Sequence, residues 1–305
     1  MAEIHDDIEF LSHGERIVGD HYLPDSDALR TADGRPCIVM AHGLSMTRDG
    51  GLAAFAKAFE DAGFHVLVFD YRHFGGSSGM PRELVSVKRQ LADWRAAIDF
   101  ARAIDGVDPE RIALWGTSFS GGHVIELASR DPRIAALVSQ VPNLDGLATL
   151  GQLVRNEPPR RLLWLASVIV RDALRGLLGR KPLYLKSIGR DGERAAYVSS
   201  EGYEQVESLK ALSFNNRFAP RDFMRVPPYR PGRRIKKVHC RMLLIGAERD
   251  NLTPLSAVKS AAEKAGQRAE FVSYPIGHFG AYVEPTLSDS VARQVEFFAR
   301  ELAPG

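Results

Sequence analysis

Trp115-Gly116-Thr117-Ser118-Phe119-Ser120-Gly121-Gly122 decides how this chain is read. It follows directly on the apolar run Arg111 to Trp115 and opens a helical pattern through Val124, Leu127 and Ala128. A strand that turns straight into a helix brings two backbones close, so the residues two places either side of the apex must be small. Gly116 and Ser120 meet that requirement, and Ser118 stands at the apex. The usual string is G-x-S-x-G, and here Ser120 replaces the last glycine. Such strings also arise by chance in Gly/Ser-rich turns, so the reading depends on its surroundings.

Working outward, short aliphatic runs alternate with longer helical patterns. Cys37 to Ala41, His65 to Asp70, Arg111 to Trp115, Ala135 to Val141, Arg241 to Ile245 and Glu270 to Tyr274 read as strands. Runs this apolar, without alternation, suit parallel strands covered on both faces. Between and after them, Val87, Leu91, Trp94, Ile98 and Val291, Val295, Phe298, Leu302 recur at helical spacing. Ile8 to Leu11 and Ile17 to Leu23 flank Gly14 and read as an antiparallel hairpin on the sheet edge. The fold class is therefore α/β, a mostly parallel doubly wound sheet. The alternation stops after about Gly146, where no strand is expected and helical segments such as Arg160 to Leu178 follow. Residues 1–145 and 238–305 are accordingly read as two parts of one core, and 146–237 as a helical cap inserted between them.

Two loops give the serine its company. After the strand ending at Ile245 comes Gly246-Ala247-Glu248-Arg249-Asp250-Asn251-Leu252-Thr253-Pro254, and after the next comes Tyr274-Pro275-Ile276-Gly277-His278-Phe279-Gly280. Ser118, Asp250 and His278 thus each lie just past a parallel strand, where loops gather around one crevice. A serine hydroxyl is a poor nucleophile until a base takes its proton, and imidazole suits that task near neutral pH. A carboxylate behind the imidazole holds its tautomer and stabilises the imidazolium. Taken singly, His278 reads as an ordinary polar residue and Asp250 as a helix cap; the order and spacing together favour the catalytic reading. Met40-Ala41-His42-Gly43-Leu44-Ser45 closes the first long apolar strand. The backbone N–H groups of Leu44 and Phe119 are expected to face a developing oxyanion, with His42 supporting the loop.

These motifs resemble the α/β-hydrolase superfamily from about Ile8 to Leu302, and Asp70-Tyr71-Arg72-His73-Phe74-Gly75-Gly76-Ser77-Ser78-Gly79 resembles its glycine-rich turn after the next strand. Trp115 to Val124 with a basic helical cap is similar to bacterial alkyl-ester hydrolases and to the polyketide-transferase-like branch. The resemblance implies a serine hydrolase that cleaves carboxylic esters through an acyl-enzyme on Ser118. Acyl transfer and thioester hydrolysis would use the same three residues, and a non-catalytic ligand-binding member is the remaining reading. Asp145 is a competing acid. His73 and His123 have no partner legible in the sequence and read as pocket lining or packing.

Composition bounds the rest. The 305 residues are 45% hydrophobic and 26% charged, with 40 Lys and Arg against 38 Asp and Glu, which excludes disordered, collagenous and coiled-coil classes. Cys37 and Cys240 sit in apolar runs and read as buried free thiols in a reducing compartment. MAEIHDDIEF has no signal-peptide pattern, so a cytoplasmic protein without membrane association is expected. No metal-ligand spacing or phosphate-binding loop is present, so no metal and no cofactor are expected, and nucleic acid is not an expected partner. The oligomeric state is not legible. From Arg155 to Lys237 there are 19 Lys and Arg against 8 Asp and Glu, leaving 21 against 30 elsewhere. That segregation fits either docking and solubility of the cap or attraction of an anionic small-molecule ester.

Overall fold

The computed structural model describes residues 6–304. Strands β1 (Asp6–Ser12) and β2 (Glu15–Tyr22) form the expected edge hairpin. Its two-residue turn, His13-Gly14, has positive φ at both positions, the geometry whose twist matches a hairpin. Then follow β3 (Arg35–Ala41), α1 (Ala53–Asp61), β4 (His65–Phe69), α2 (Val87–Arg102), β5 (Val107–Thr117), α3 (Phe119–Ala128) and β6 (Ile134–Gln140). After β6 come α4 (Gly146–Asn156), α5 (Pro159–Leu177), β7 (Ile188–Gly189), β8 (Tyr197–Val198) and α6 (Ser200–Ser208). The chain closes with β9 (Arg241–Ala247), α7 (Leu255–Ala265), β10 (Ala269–Tyr274) and α8 (Thr286–Glu301).

Eight strands form one sheet in the order β1-β2-β4-β3-β5-β6-β9-β10. All pairs from β4 to β10 are parallel, and β2 joins β4 antiparallel. Successive residues of β3 serve opposite cores. Cys37, Val39 and Ala41 pack with Trp94, Val124 and Leu244 under α2, α3 and α7; Ile38 and Met40 pack with Phe55, Phe59 and Phe298 under α1 and α8. From β3 the chain runs to β4 on one side and then to β5 on the other. The connections therefore diverge between β3 and β5, leaving a crevice at the carboxyl ends of these strands.

Two expectations need correction. The third parallel strand runs from Val107 to Thr117, well beyond the expected Arg111 to Trp115, because Asp108, Pro109, Glu110 and Arg111 extend it without an apolar pattern. The segment after β6 does contain strand pairing: β7 and β8 form a two-residue parallel ladder, too short to leave a periodic signal. Among the described residues no helix is long and apolar enough to cross a membrane.

Candidate active site

Between the end of β5 and the start of α3 only Ser118 intervenes, at φ 55 and ψ −114. This conformation costs an L-residue about 1–3 kcal/mol. Its own backbone bonds hold it there: Ser118 N–H donates to the Gln140 carbonyl and its carbonyl accepts from Asn143 N–H, both at 2.8 Å. Gly116 is required, since a Cβ there would stand 2.4 Å from the Ser120 carbonyl oxygen. Ser120 in turn shows what its hydroxyl adds where glycine is usual. Buried, it accepts from Thr117 N–H at 2.8 Å and lies 2.8 Å from the Ala41 carbonyl, tying the turn to β3.

The loops after β9 and β10 bring the other two residues to the serine. His278 Nε2 lies 2.9 Å from Ser118 Oγ, and His278 Nδ1 lies 2.7 Å from Asp250 Oδ2. Asp250 also accepts from Leu252 N–H, Thr253 N–H and Thr253 Oγ1–H, at 2.8, 2.8 and 2.7 Å. Burial alone would raise the Asp250 carboxyl, but the charge and hydrogen bond of His278 and the Thr253 donors hold it below the ordinary carboxylate value. An ionised Asp250 fixes the proton of His278 on Nδ1 and leaves Nε2 free to accept from Ser118.

Gly43 packs against Ser118, where an added Cβ would come within 3.1 Å of the serine Cβ. Leu44 and Phe119, the residues expected to supply two backbone donors, both border the same cavity as Ser118. His42 is buried and places Nδ1 2.9 Å from the Gly43 carbonyl. Burial lowers its pKa, so it sits beneath the loop as a neutral ring. Asp70 adds a brace: its carboxylate accepts from Arg48 N–H at 2.8 Å, from the Arg48 guanidinium at 2.5 Å and from Gly76 N–H at 3.0 Å.

Other sequence candidates fall elsewhere. Asp145 caps α4 through Leu147 and Ala148 N–H and pairs with Arg230 through both oxygens, at 2.8 and 2.5 Å, so its carboxylate is engaged away from His278. His73 and His123 do have partners and do not line the cavity. His73 Nε2 lies 3.0 Å from Arg89 Nη1. His123 bridges Tyr229 Oη at 2.9 Å and Gln90 Oε1 at 3.1 Å. These partners come from distant parts of the chain and leave no local trace. Three supporting residues escaped the sequence reading: Thr253, Asn143, and Gln152, whose Nε2 donates to the Asp250 carbonyl at 2.9 Å. The spacing Asp250-x-x-Thr253, a side-chain turn pattern, could have revealed the first.

Above the serine lies a cavity of about 250 Å³, roofed by residues of α4, α5, β7, β8 and α6. Leu150, Leu153, Leu165, Ile169, Leu185 and Phe218 give it an apolar wall. No Lys or Arg is among its lining residues, and its one carboxylate, Glu157, pairs with Arg161. The cations of this segment lie outside: Arg221 pairs with Asp172, Arg230 with Asp145 and Arg234 with Glu126. Among the described residues no group of three or more His, Cys, Asp or Glu could hold a metal ion.

Residues 36–285 match the sequence profile of the family described as alpha/beta hydrolase fold. The chain is 35% identical over 296 residues to the quorum-quenching protein AidA of Acinetobacter baumannii, covering 96% of this chain and 94% of that one. It is 36% identical over 184 residues to a polyketide transferase of Stachybotrys chlorohalonatus, covering 59% of this chain and 58% of that one. In structure it is similar to the α/β hydrolase GrgF from a Penicillium species, with a TM-score of 0.80 at 22% identity, covering 98% of this chain and 99% of that one.

Proposed function

Since the chain belongs to the α/β-hydrolase fold family, we propose that it is a serine hydrolase that cleaves carboxylic esters through an acyl-enzyme on Ser118. The hydrogen-bonded series Asp250, His278, Ser118 opening on an apolar cavity carries this reading. Ser118 Oγ attacks the ester carbonyl carbon as its proton passes to His278 Nε2. The negative charge that develops on the carbonyl oxygen is met by Leu44 and Phe119 N–H, whose contribution is of the order of several kcal/mol. The bond to the leaving oxygen then breaks, and His278 returns its proton to that oxygen. Water then enters and its oxygen attacks the acyl carbon as a proton passes to His278 Nε2; the bond to Ser118 Oγ breaks, Oγ takes that proton back from His278, and the acid leaves. The cavity wall favours an uncharged acyl group, since an anionic acyl chain would lose hydration without meeting a cation there.

Transfer of the acyl group to an alcohol, or release from a thioester, would use the same groups. The names of relatives, a polyketide transferase and a thiohydrolase of Aspergillus aculeatus, keep that second reading open. The test is a panel of p-nitrophenyl esters of graded acyl length, with Ser118→Ala as the blank and an added alcohol to intercept the acyl-enzyme. Hydrolysis of neutral esters that vanishes in Ser118→Ala is expected. Turnover unchanged by the substitution would overturn the assignment; a transesterified product dominating over free acid would favour acyl transfer.

A further inference from the structure

Two observations stand outside the chemistry at Ser118: the positive charge of 155–237 is absent from the cavity wall, and α5 is apolar on both faces. Its inner face supplies Leu165 and Ile169 to the cavity. Its outer face carries Leu163, Val170, Leu174 and Leu177 at intervals of seven, four and three residues, which helical geometry aligns in one stripe. Leu163 is 73% exposed and Leu177 84%. Of the 14 large apolar side chains exposed among the described residues, 11 lie between Leu147 and Met224, so the exposure is concentrated and not scattered. Arg160 and Arg171 follow one flank of the stripe, and Arg180 and Lys181 continue past its end. All four are exposed. Among the described residues none of them has an ion-pair partner, whereas Arg161 and Arg221 do.

We propose that the outer face of α5 docks on an anionic phospholipid surface, with Leu163, Val170, Leu174 and Leu177 entering the headgroup boundary and the neighbouring cations meeting lipid phosphates. Charge complementarity selects this occupant. The segment that contains α5 carries 19 Lys and Arg against 8 Asp and Glu and the rest of the chain 21 against 30, and the cations beside the apolar stripe, Arg160, Arg171, Arg180 and Lys181, are exposed. A second copy seated on this face would bring two positive surfaces together. An exposed apolar helix stripe with cations beside it, lying in the interface plane, is an arrangement that anionic bilayers bind. Leu150 on α4, next to this segment, both lines the cavity and is 40% exposed.

The test is flotation of the full chain with phosphatidylcholine vesicles, with and without phosphatidylglycerol. It involves no turnover, so its outcome is separate from that of the ester assay. Binding only to the phosphatidylglycerol vesicles is expected, weakening as salt screens the charges. Arg160→Gln and Arg171→Gln should each weaken it about fivefold, the ratio that corresponds to about 1 kcal/mol for a surface cation. Leu163→Ser with Leu177→Ser should abolish it, while Leu11→Ser, an equally exposed position on β1, should leave it unchanged. Circular dichroism melting confirms that the variants remain folded. Binding indifferent to phosphatidylglycerol, loss of binding in Leu11→Ser, or full binding by the double leucine variant would overturn the proposal. So would a sedimenting dimer that the double variant splits, or partition to an acidic protein with none to vesicles.

Discussion

At the residue scale, the site depends on the division of labour between two aspartates that both follow sheet strands. Asp250 has His278 on one oxygen and backbone donors on the other, whereas Asp145 is spent on a helix cap and Arg230. Asp250→Asn should leave the fold intact and lower kcat by about 10³–10⁴-fold, because an amide would favour the wrong tautomer of His278. Asp145→Asn should retain nearly full kcat and lose thermal stability through the weakened cap and ion pair. Steady-state kinetics of the two variants side by side checks both, and the reverse pattern would move the acid to Asp145. The positions of Ser118, Asp250 and His278 relative to the strands were legible because each sits in a short loop bounded by an apolar run. The hydrogen bonds of Ser120 to β3, and those of His123 to Gln90 and Tyr229, were not, since each partner lies on another element.

At the scale of elements, β3 and β5 are adjacent parallel strands, and the turns at their ends place Gly43 against Ser118. That juxtaposition follows from strand order, which alternation of apolar runs does not reveal. The helices after β6 then set the volume above the serine. Ile169 on α5 lines the cavity, so Ile169→Trp should shorten the longest acyl chain accepted. A loss of at least about tenfold in kcat/KM is expected for long-chain esters, the usual scale for steric discrimination in an apolar pocket. The shortest esters should keep their rates. Equal losses across all chain lengths would mean that the substitution distorts the site instead of filling the cavity. The charge count of this segment was plain in the sequence, but its direction was not: helical spacing alone leaves open which face turns inward, and the cavity wall contains no Lys or Arg.

For the molecule as a whole, buried imidazoles link stability to pH. Burial pushes His65 and His73 down to about 4, with neighbouring positive groups adding to the shift, and pushes His123 down to about 3. The unfolded chain titrates these rings near 6.5, so below that value it takes up protons that the folded state refuses. Stability is therefore complete above about pH 6.5 and declines as pH falls toward 4, with a slope of up to about 1.4 kcal/mol per pH unit for one such ring. Melting temperatures across this window should fall, and His123→Gln should make the decline shallower. A flat profile would show that the rings are accessible to protons in the fold. The proposed function turns on acylation of Ser118. Intact-mass spectrometry of the protein quenched in acid during turnover of a p-nitrophenyl ester measures it directly. An added acyl mass that maps to the Ser118 peptide and is absent from Ser118→Ala is the expected result; an adduct that persists in Ser118→Ala, or maps to another residue, would contradict it.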